Sequence, residues 1–194
     1  MLKGKDGRDG VRIAINYQYL NRFTVGDATP LPEISDIIQK VGAARYISLF
    51  DAKSGYHQYP MKPEDQWLSA FVCDSGLCEW TRAPFGMKGS GCTFVRAINQ
   101  ILEPIKHFTK AYVDDMAVYS QEWYKHLADI DEYLATIKVS GLTLNLKKYQ
   151  FAQSEIKYVG HIIGSGKWRA DSDRISTVQN LKKPETKKNK SGKC

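Results

Sequence analysis

Two aspartates stand side by side in the stretch YVDDMAVYS, Tyr112 to Ser120, between two short runs of strand-forming residues. Aspartate is depleted from strands and adjacent like charges repel, so something must hold Asp114 and Asp115 together. Successive residues of a regular strand face opposite sides, and only a tight turn between the runs lets both carboxylates reach one sheet edge. A third acid, Asp51, ends the apolar run YISLF and is followed by a Ser-Gly turn. If the two strands are neighbours, three carboxylates from distant parts of the chain converge. Oxygen-only ligands, without His or Cys, suit Mg²⁺ or Mn²⁺ rather than zinc. Two such ions about 3.5–4 Å apart activate an attacking hydroxyl and stabilise the leaving pyrophosphate of an in-line phosphoryl transfer. The bland alternative for an isolated Asp-Asp pair is a solvated turn.

The elements that must carry these acids follow from spacing. Gly, Asp and Lys fill the middle of LKGKDGRDGVRIAI, as in a β-hairpin with a basic tip. Ile34, Ile37, Ile38 and Val41 recur at helical spacing between Pro32 and Gly42. RYISLFDA is a strand ending in an acid, and WLSAFVCDSGLCEWTR is two strand-like runs around an Asp-Ser-Gly turn. Phe94, Ile98, Ile101, Leu102 and Ile105 form one helical face that Pro104 ends or kinks. A further helix is expected through Trp123, Leu127, Ile130, Leu134 and Ile137, stopped by Gly141. IKYVGHIIGSGKW closes the series as another hairpin-like segment. Strand-turn-strand units outnumber crossover helices, which predicts an α+β fold with a mainly antiparallel sheet backed by helices.

Composition bounds the answer more loosely. At 194 residues, 42% hydrophobic and 25% charged, the chain is long enough to bury a core as one domain or two small ones. Its net charge of +7 suggests nucleic acid, but six lysines and one glutamate between Lys182 and Lys193 supply most of it, as a solvated tail does. Cys73, Cys78, Cys92 and Cys194 form no CxxC pair and have no zinc-ligand spacing, and are expected to be reduced thiols of an intracellular protein. No apolar run is long enough to span a bilayer, so no membrane partner is expected.

Six stretches, in order, resemble the reverse transcriptases of gypsy-type long-terminal-repeat retrotransposons and, more distantly, of retroviruses: DGVRIAINYQYLN, FDAKSGYHQYPM, TRAPFGMKGS, YVDDMAVYS, GLTLNLKKYQF and YVGHIIG. Each motif alone is weak; the ordered set is specific. The resemblance implies a right-hand polymerase, with residues 1–25 and 59–88 as partial fingers, 26–58 and 89–166 as palm, and 167–194 as the start of a thumb or connection and a Lys-rich tail. It implies RNA-directed DNA polymerisation: two Mg²⁺ ions, replaceable by Mn²⁺, held by Asp51, Asp114, Asp115 and the backbone of Ala52. Lys5, Arg12, Tyr56, Phe85 and Gly86 match positions that meet the incoming dNTP. Tyr112, Val159 and Gly160 match positions that hold primer and template. For Lys5 and Arg12 the physics agrees, since a point charge and a bidentate fork on a closing hairpin suit a triphosphate.

The expected partners are an RNA or DNA template with its primer, dNTPs, and the rest of a Pol polyprotein, including thumb, RNase H and integrase. The resemblance also implies a location in a cytoplasmic particle or the nucleus. The chain starts where the family already has part of its fingers and stops as the thumb begins, so it is expected to be a fragment of that polyprotein. Asn16, Tyr17 and Gln18 stand where the family usually has Asp-Tyr-Arg, Gly89, Ser90 and Gly91 where Asn-Ala-Pro is common, and Val95 where Gln is usual. These departures touch the fingers and template contacts, not the acids. Two other functions compete: a non-catalytic nucleic-acid-binding relic with a retained palm, and another palm-type enzyme such as a nucleotidyl cyclase.

Overall fold

The computed structural model of the chain describes residues 15–27, 29–30 and 32–171. The basic first hairpin, with Lys5 and Arg12, and the Lys-rich end with Cys194 lie outside the described residues. Helix α1 (Gln18–Phe23) and helix α2 (Ile34–Gly42) lead into strand β1 (Tyr46–Asp51). Strands β2 (Phe71–Cys73) and β3 (Gly76–Cys78) form a small hairpin, followed by helix α3 (Ser90–Leu102). Then come β4 (Thr109–Tyr112), β5 (Asp115–Ser120) and helix α4 (Trp123–Ser140). Strands β6 (Gln150–Gln153), β7 (Glu155–Tyr158), β8 (His161–Gly164) and β9 (Lys167–Ala170) close the described chain.

Strands β4, β5, β1 and β6 lie side by side, in that order, as one sheet, antiparallel throughout. β1 and β5 are its centre, and period-2 alternation gives them two buried faces. On one face Phe50, Met116 and Val118 pack with Phe94, Ile98 and Leu102 of α3 and with Ile130, Tyr133 and Ile137 of α4. Tyr133 is fully buried and stacks on Phe50 with ring centroids 4.7 Å apart. On the other face Ile47, Leu49 and Ala117 meet Ile37 and Val41 of α2 and Ile156, Tyr158 and Ile163 of the β7-β8-β9 sheet. The sheet is thus the middle of three layers, as an α+β chain with apolar residues on both strand faces requires.

Three expectations from spacing change. The α4 stripe is rotated: Trp123, Leu127 and Leu134 are partly exposed, while His126, Asp129, Ile130, Tyr133 and Ile137 face the core. Polar His126 and Asp129 sit inside because hydrogen bonds satisfy them there. The Trp67–Ser69 end of the expected strand run is a 3₁₀ turn opened by Pro63, and only three residues on each side form the β2–β3 ladder. The segment after Glu155 is a three-stranded meander, because β9 adds to β8.

Candidate active site

Register brings two of the three acids together. Asp51, the last residue of β1, lies directly opposite Asp115, the first of β5. The Ala52 N–H donates to the Asp114 carbonyl at 2.9 Å, so alternation makes Asp51–Asp115 a non-hydrogen-bonded pair, the kind whose side chains stand closest. Like charges directly opposite on a sheet repel, so the pair stands where a cation is welcome. The Lys148 ammonium lies 3.5 Å from one Asp51 oxygen, and the Asn145 amide donates to the other at 3.3 Å. The Asn145 N–H also donates to the Asp51 carbonyl at 2.8 Å.

Asp114 belongs to the same corner but faces the α3 side. It occupies the two-residue β4–β5 turn after Val113, whose φ of 55° is left-handed. A β-branched residue there carries strain of about 1–3 kcal/mol, of a kind that collects at functional sites. A Cβ added to Gly55 would lie 2.5 Å from Asp114 Oδ1 and 2.7 Å from the Phe94 ring, so only glycine admits this carboxylate. Among the described residues, no three His, Cys, Asp or Glu side chains gather into a metal cluster. The sequence expectation that all three acids converge therefore holds for Asp51 and Asp115 as a pair, with Asp114 reaching the corner from the other sheet face. Ala52 is buried beneath it.

The donor set nevertheless fits a hard divalent ion: its side chains offer oxygen alone at a strand end, and Lys148 already places a cation against Asp51. Asp51, Asp115 and Asp114 are the residues that would hold it.

Beside Asp114 stands an aromatic cluster. Tyr56, in the 3₁₀ turn Gly55–Gln58, meets Phe94 at 5.4 Å and Phe85 at 5.0 Å between centroids. Burial, then the nearby Asp114 charge, pushes the Tyr56 hydroxyl up from its ordinary pKa. Phe85 is exposed, and Gly86 follows it at φ 86° with its carbonyl held by the Asn21 amide at 2.9 Å. Gln58 ties the same turn to the chain near Asn145, exchanging hydrogen bonds with both the N–H and the carbonyl of Thr143.

On the opposite sheet face, Val159 and Gly160 form the β7–β8 turn, with φ of 50° and 75°. Val159 and Tyr112 both pack against the α2-side core. The fully buried Tyr158 joins the two hairpins: its hydroxyl is 3.1 Å from the Asp115 carbonyl and 3.3 Å from that of Lys110. Asn145, Lys148 and Tyr158 are site residues that sequence reasoning missed. All three lie inside motifs that were already conspicuous, but contacts between residues 43 or more positions apart leave no local signal.

A central antiparallel sheet with α3 and α4 on one face and α2 beside a second small sheet on the other, carrying an acid-bearing hairpin at one end, is the fold of the right-hand polymerases, and solved structures share it. A foamy viral protease-reverse transcriptase in complex with dsDNA superposes with a TM-score of 0.86 at 23% identity, covering 97% of this chain and 33% of that one. The same viral enzyme in complex with an RNA/DNA hybrid gives 0.81 at 23% identity, over 92% and 24%. Residues 3–163 match the family model for reverse transcriptase (RNA-dependent DNA polymerase), and this chain belongs to that family. Its relatives include the retrovirus-related Pol polyproteins of the Drosophila melanogaster transposons opus, 30% identical over 92% of this chain, and 297, 34% identical over 81%. The enzymatic polyprotein of Cauliflower mosaic virus, strain NY8153, is 32% identical over 84%. The chain spans 18%, 15% and 24% of these three proteins' lengths.

Proposed function

We propose that this chain is the polymerase core of a retrotransposon Pol polyprotein, joining a deoxynucleoside monophosphate from a dNTP to a primer 3′-hydroxyl on an RNA or DNA template. The observation that carries the reading is the Asp51–Asp115 pair in register with Asp114 in the adjoining turn. Divalent-metal dependence goes with the family; Mg²⁺ is the ion proposed here, because it takes few carboxylates and completes its shell with substrate phosphates. When bound, the ions lower the pKa of the attacking hydroxyl and neutralise charge on the leaving pyrophosphate.

The chain's own residues supply position. Tyr56 and Phe85 form an aromatic floor beside Asp114 on which a nucleotide can rest, and Lys5 and Arg12 are assigned to its triphosphate. Val159, Gly160 and Tyr112 are assigned to the primer, whose end is aligned with the acids through the Tyr158–Asp115 link. Residues 1–25 and 59–88 are read as fingers, 26–58 and 89–166 as palm, and 167–194 as the approach to the thumb, in an element working in a cytoplasmic particle or the nucleus.

Primer extension on an RNA template, with Mg²⁺ and dNTPs, tests the reading. The chain is assayed alone and extended into the downstream polyprotein sequence, each beside its Asp114→Asn variant. Templated extension by either parent and by neither variant is expected. Salt-sensitive duplex binding that ignores metal and dNTP, with no extension by the longer chain, would replace the polymerase with a binding relic.

A further inference from the structure

The β2–β3 hairpin carries chemistry that nucleotidyl transfer does not use. It is a two-stranded sheet of three pairs, with Val72 and Leu77 exposed on its outside, and such a hairpin is marginally stable unless something pins it. Cys73 pairs with Gly76 and Cys78 with Phe71, so the cysteines are diagonal neighbours across the strands. Twist draws one diagonal of a hairpin together. Here it leaves the two sulfurs 3.1 Å apart, both thiols free and partly exposed.

We propose that Cys73 and Cys78 are a redox-responsive dithiol that closes to an intramolecular disulfide by exchange with a low-molecular-weight disulfide such as oxidised glutathione. A disulfide needs its sulfurs about 2.05 Å apart, an approach of roughly 1 Å that side-chain rotation supplies. The pair is asymmetric in the way exchange requires. The Ser75 hydroxyl, 3.0 Å from Cys73 Sγ, and the Cys78 thiol hold the Cys73 thiol below its ordinary pKa. The same contact, seen from the other side, pushes the Cys78 thiol up. Cys73 is therefore the attacking thiolate and Cys78 the resolving one.

The steps balance. The Cys73 thiolate attacks one sulfur of oxidised glutathione, forming a mixed disulfide and expelling one glutathione thiolate. The Cys78 sulfur, after losing its proton, attacks Cys73 Sγ and expels the second. Two protein thiols are oxidised, one glutathione disulfide is reduced, and the two protons end on two glutathione thiols. Among the described residues Cys92 has no such neighbour: its Sγ lies 3.7 Å from the Asp27 carbonyl.

The consequence reaches the candidate site. Phe71 of β2 lies 6.0 Å from Trp80, Trp80 stacks on His57 at 5.0 Å, and His57 meets Phe85 at 4.8 Å. Closing the hairpin fixes one end of a chain of rings whose other end is the aromatic cluster beside Asp114.

The test is to equilibrate the folded chain in glutathione buffers of graded redox poise, quench with acid, alkylate, and map the products by peptide mass. The expected product is a Cys73–Cys78 disulfide, formed at a poise where Cys92 and Cys194 are still alkylated. Its equilibrium constant should exceed that of the guanidinium-unfolded chain by at least about tenfold, because the fold holds the sulfurs together. In Cys78→Ser, Cys73 should stop at the glutathione mixed disulfide; in Cys73→Ser, Cys78 should react more slowly. Glutathione on each cysteine with no bond between them, or an equilibrium constant no higher folded than unfolded, would overturn the proposal.

Discussion

β1 and β5 pair along six residues, and their two ends treat polar side chains in opposite ways. At the Tyr46–Ser120 end, Ser48, His126, Ser120 and Asp129 are all buried and bonded in a row. The Ser120 hydroxyl donates to Asp129 at 2.6 Å, so toward His126 it can only accept. The proton therefore sits on His126 Nδ1, 3.0 Å from Ser120 Oγ, and Nε2 accepts from the Ser48 hydroxyl at 2.9 Å. Ser48 Oγ in turn accepts from the Ala152 N–H of β6, and Lys125 caps Asp129 from the surface. Every proton and lone pair that the row needs is supplied from within the chain. At the Asp51–Asp115 end two carboxylates stand opposite one another across the strands, and Lys148 and Asn145 are drawn in against Asp51. Polar groups whose demand closes internally hold a fold together, whereas like charges set opposite one another at a strand end mark where a cation can complete the structure.

The largest effects should separate these ends by what they damage. Asp51→Asn should cut metal-dependent nucleotide incorporation by about 10²–10³-fold or more, the scale of losing a charge-stabilising group in a reacting site. Asp115→Asn should match it in activity while stability holds or rises by up to about 1 kcal/mol, since a like-charge cross-strand pair is relieved. Primer extension and urea melts on the same preparations check both. A large stability loss from Asp115→Asn would make the acid end structural after all.

Gly55→Ala attacks the same end through packing. The new methyl would collide with both Asp114 Oδ1 and the Phe94 ring, and overpacking of this kind costs about 1–3 kcal/mol. Incorporation should fall with it, because Asp114 must move. Gly141→Ala, at a helix end where an added Cβ meets nothing, should instead cost stability through its left-handed φ and spare activity per folded molecule.

At the closed end, His126→Ala should cost about 2–4 kcal/mol in urea unfolding, from a cavity and two stranded hydroxyls, with activity per folded molecule retained. The pH dependence follows from the proton inventory. Burial pulls the His126 pKa below its ordinary 6.5, opposed by the Asp129 charge. The unfolded chain then takes up a proton first as pH falls. The neutral histidine's contribution is complete above about pH 6.5 and is lost as pH drops from there toward the folded pKa, at up to about 1.4 kcal/mol per pH unit. Melts between pH 7.5 and 5 should show that slope in the parent, and His126→Gln should flatten it.

The contrast explains what the sequence could and could not disclose. β1, β5 and the acid turn were legible because an apolar run ending in Asp and a strand-turn-strand around Asp-Asp are local patterns. α2 and α3 were legible from their apolar spacing. The face of α4 was not, because buried His126 and Asp129 count as polar in any periodicity while exposed Trp123, Leu127 and Leu134 count as core. α1 buries none of its own residues and β9 is exposed along its length, so neither carries the alternation that marks an element. Which way Asp114 faces is written in Gly55, and the neutralising of Asp51 in Lys148, each visible only once the chain is folded.

The smallest expected effect is the most informative about the acid end. Lys148 is 41% exposed and 3.5 Å from Asp51, so as an ion pair it is worth at most about 1 kcal/mol. If it stands where a metal would, the two compete. Lys148→Met should then tighten Mn²⁺ binding a few-fold by calorimetry, and should lower metal-free stability by about 0.5 kcal/mol as the Asp51–Asp115 repulsion loses its screen. Adding Mn²⁺ should restore more stability to the variant than to the parent, because the ion replaces what the lysine supplied. If the variant binds Mn²⁺ no better but binds dNTP or primer more weakly, Lys148 serves the substrate's phosphates, and its contact with Asp51 is only where an idle cation rests.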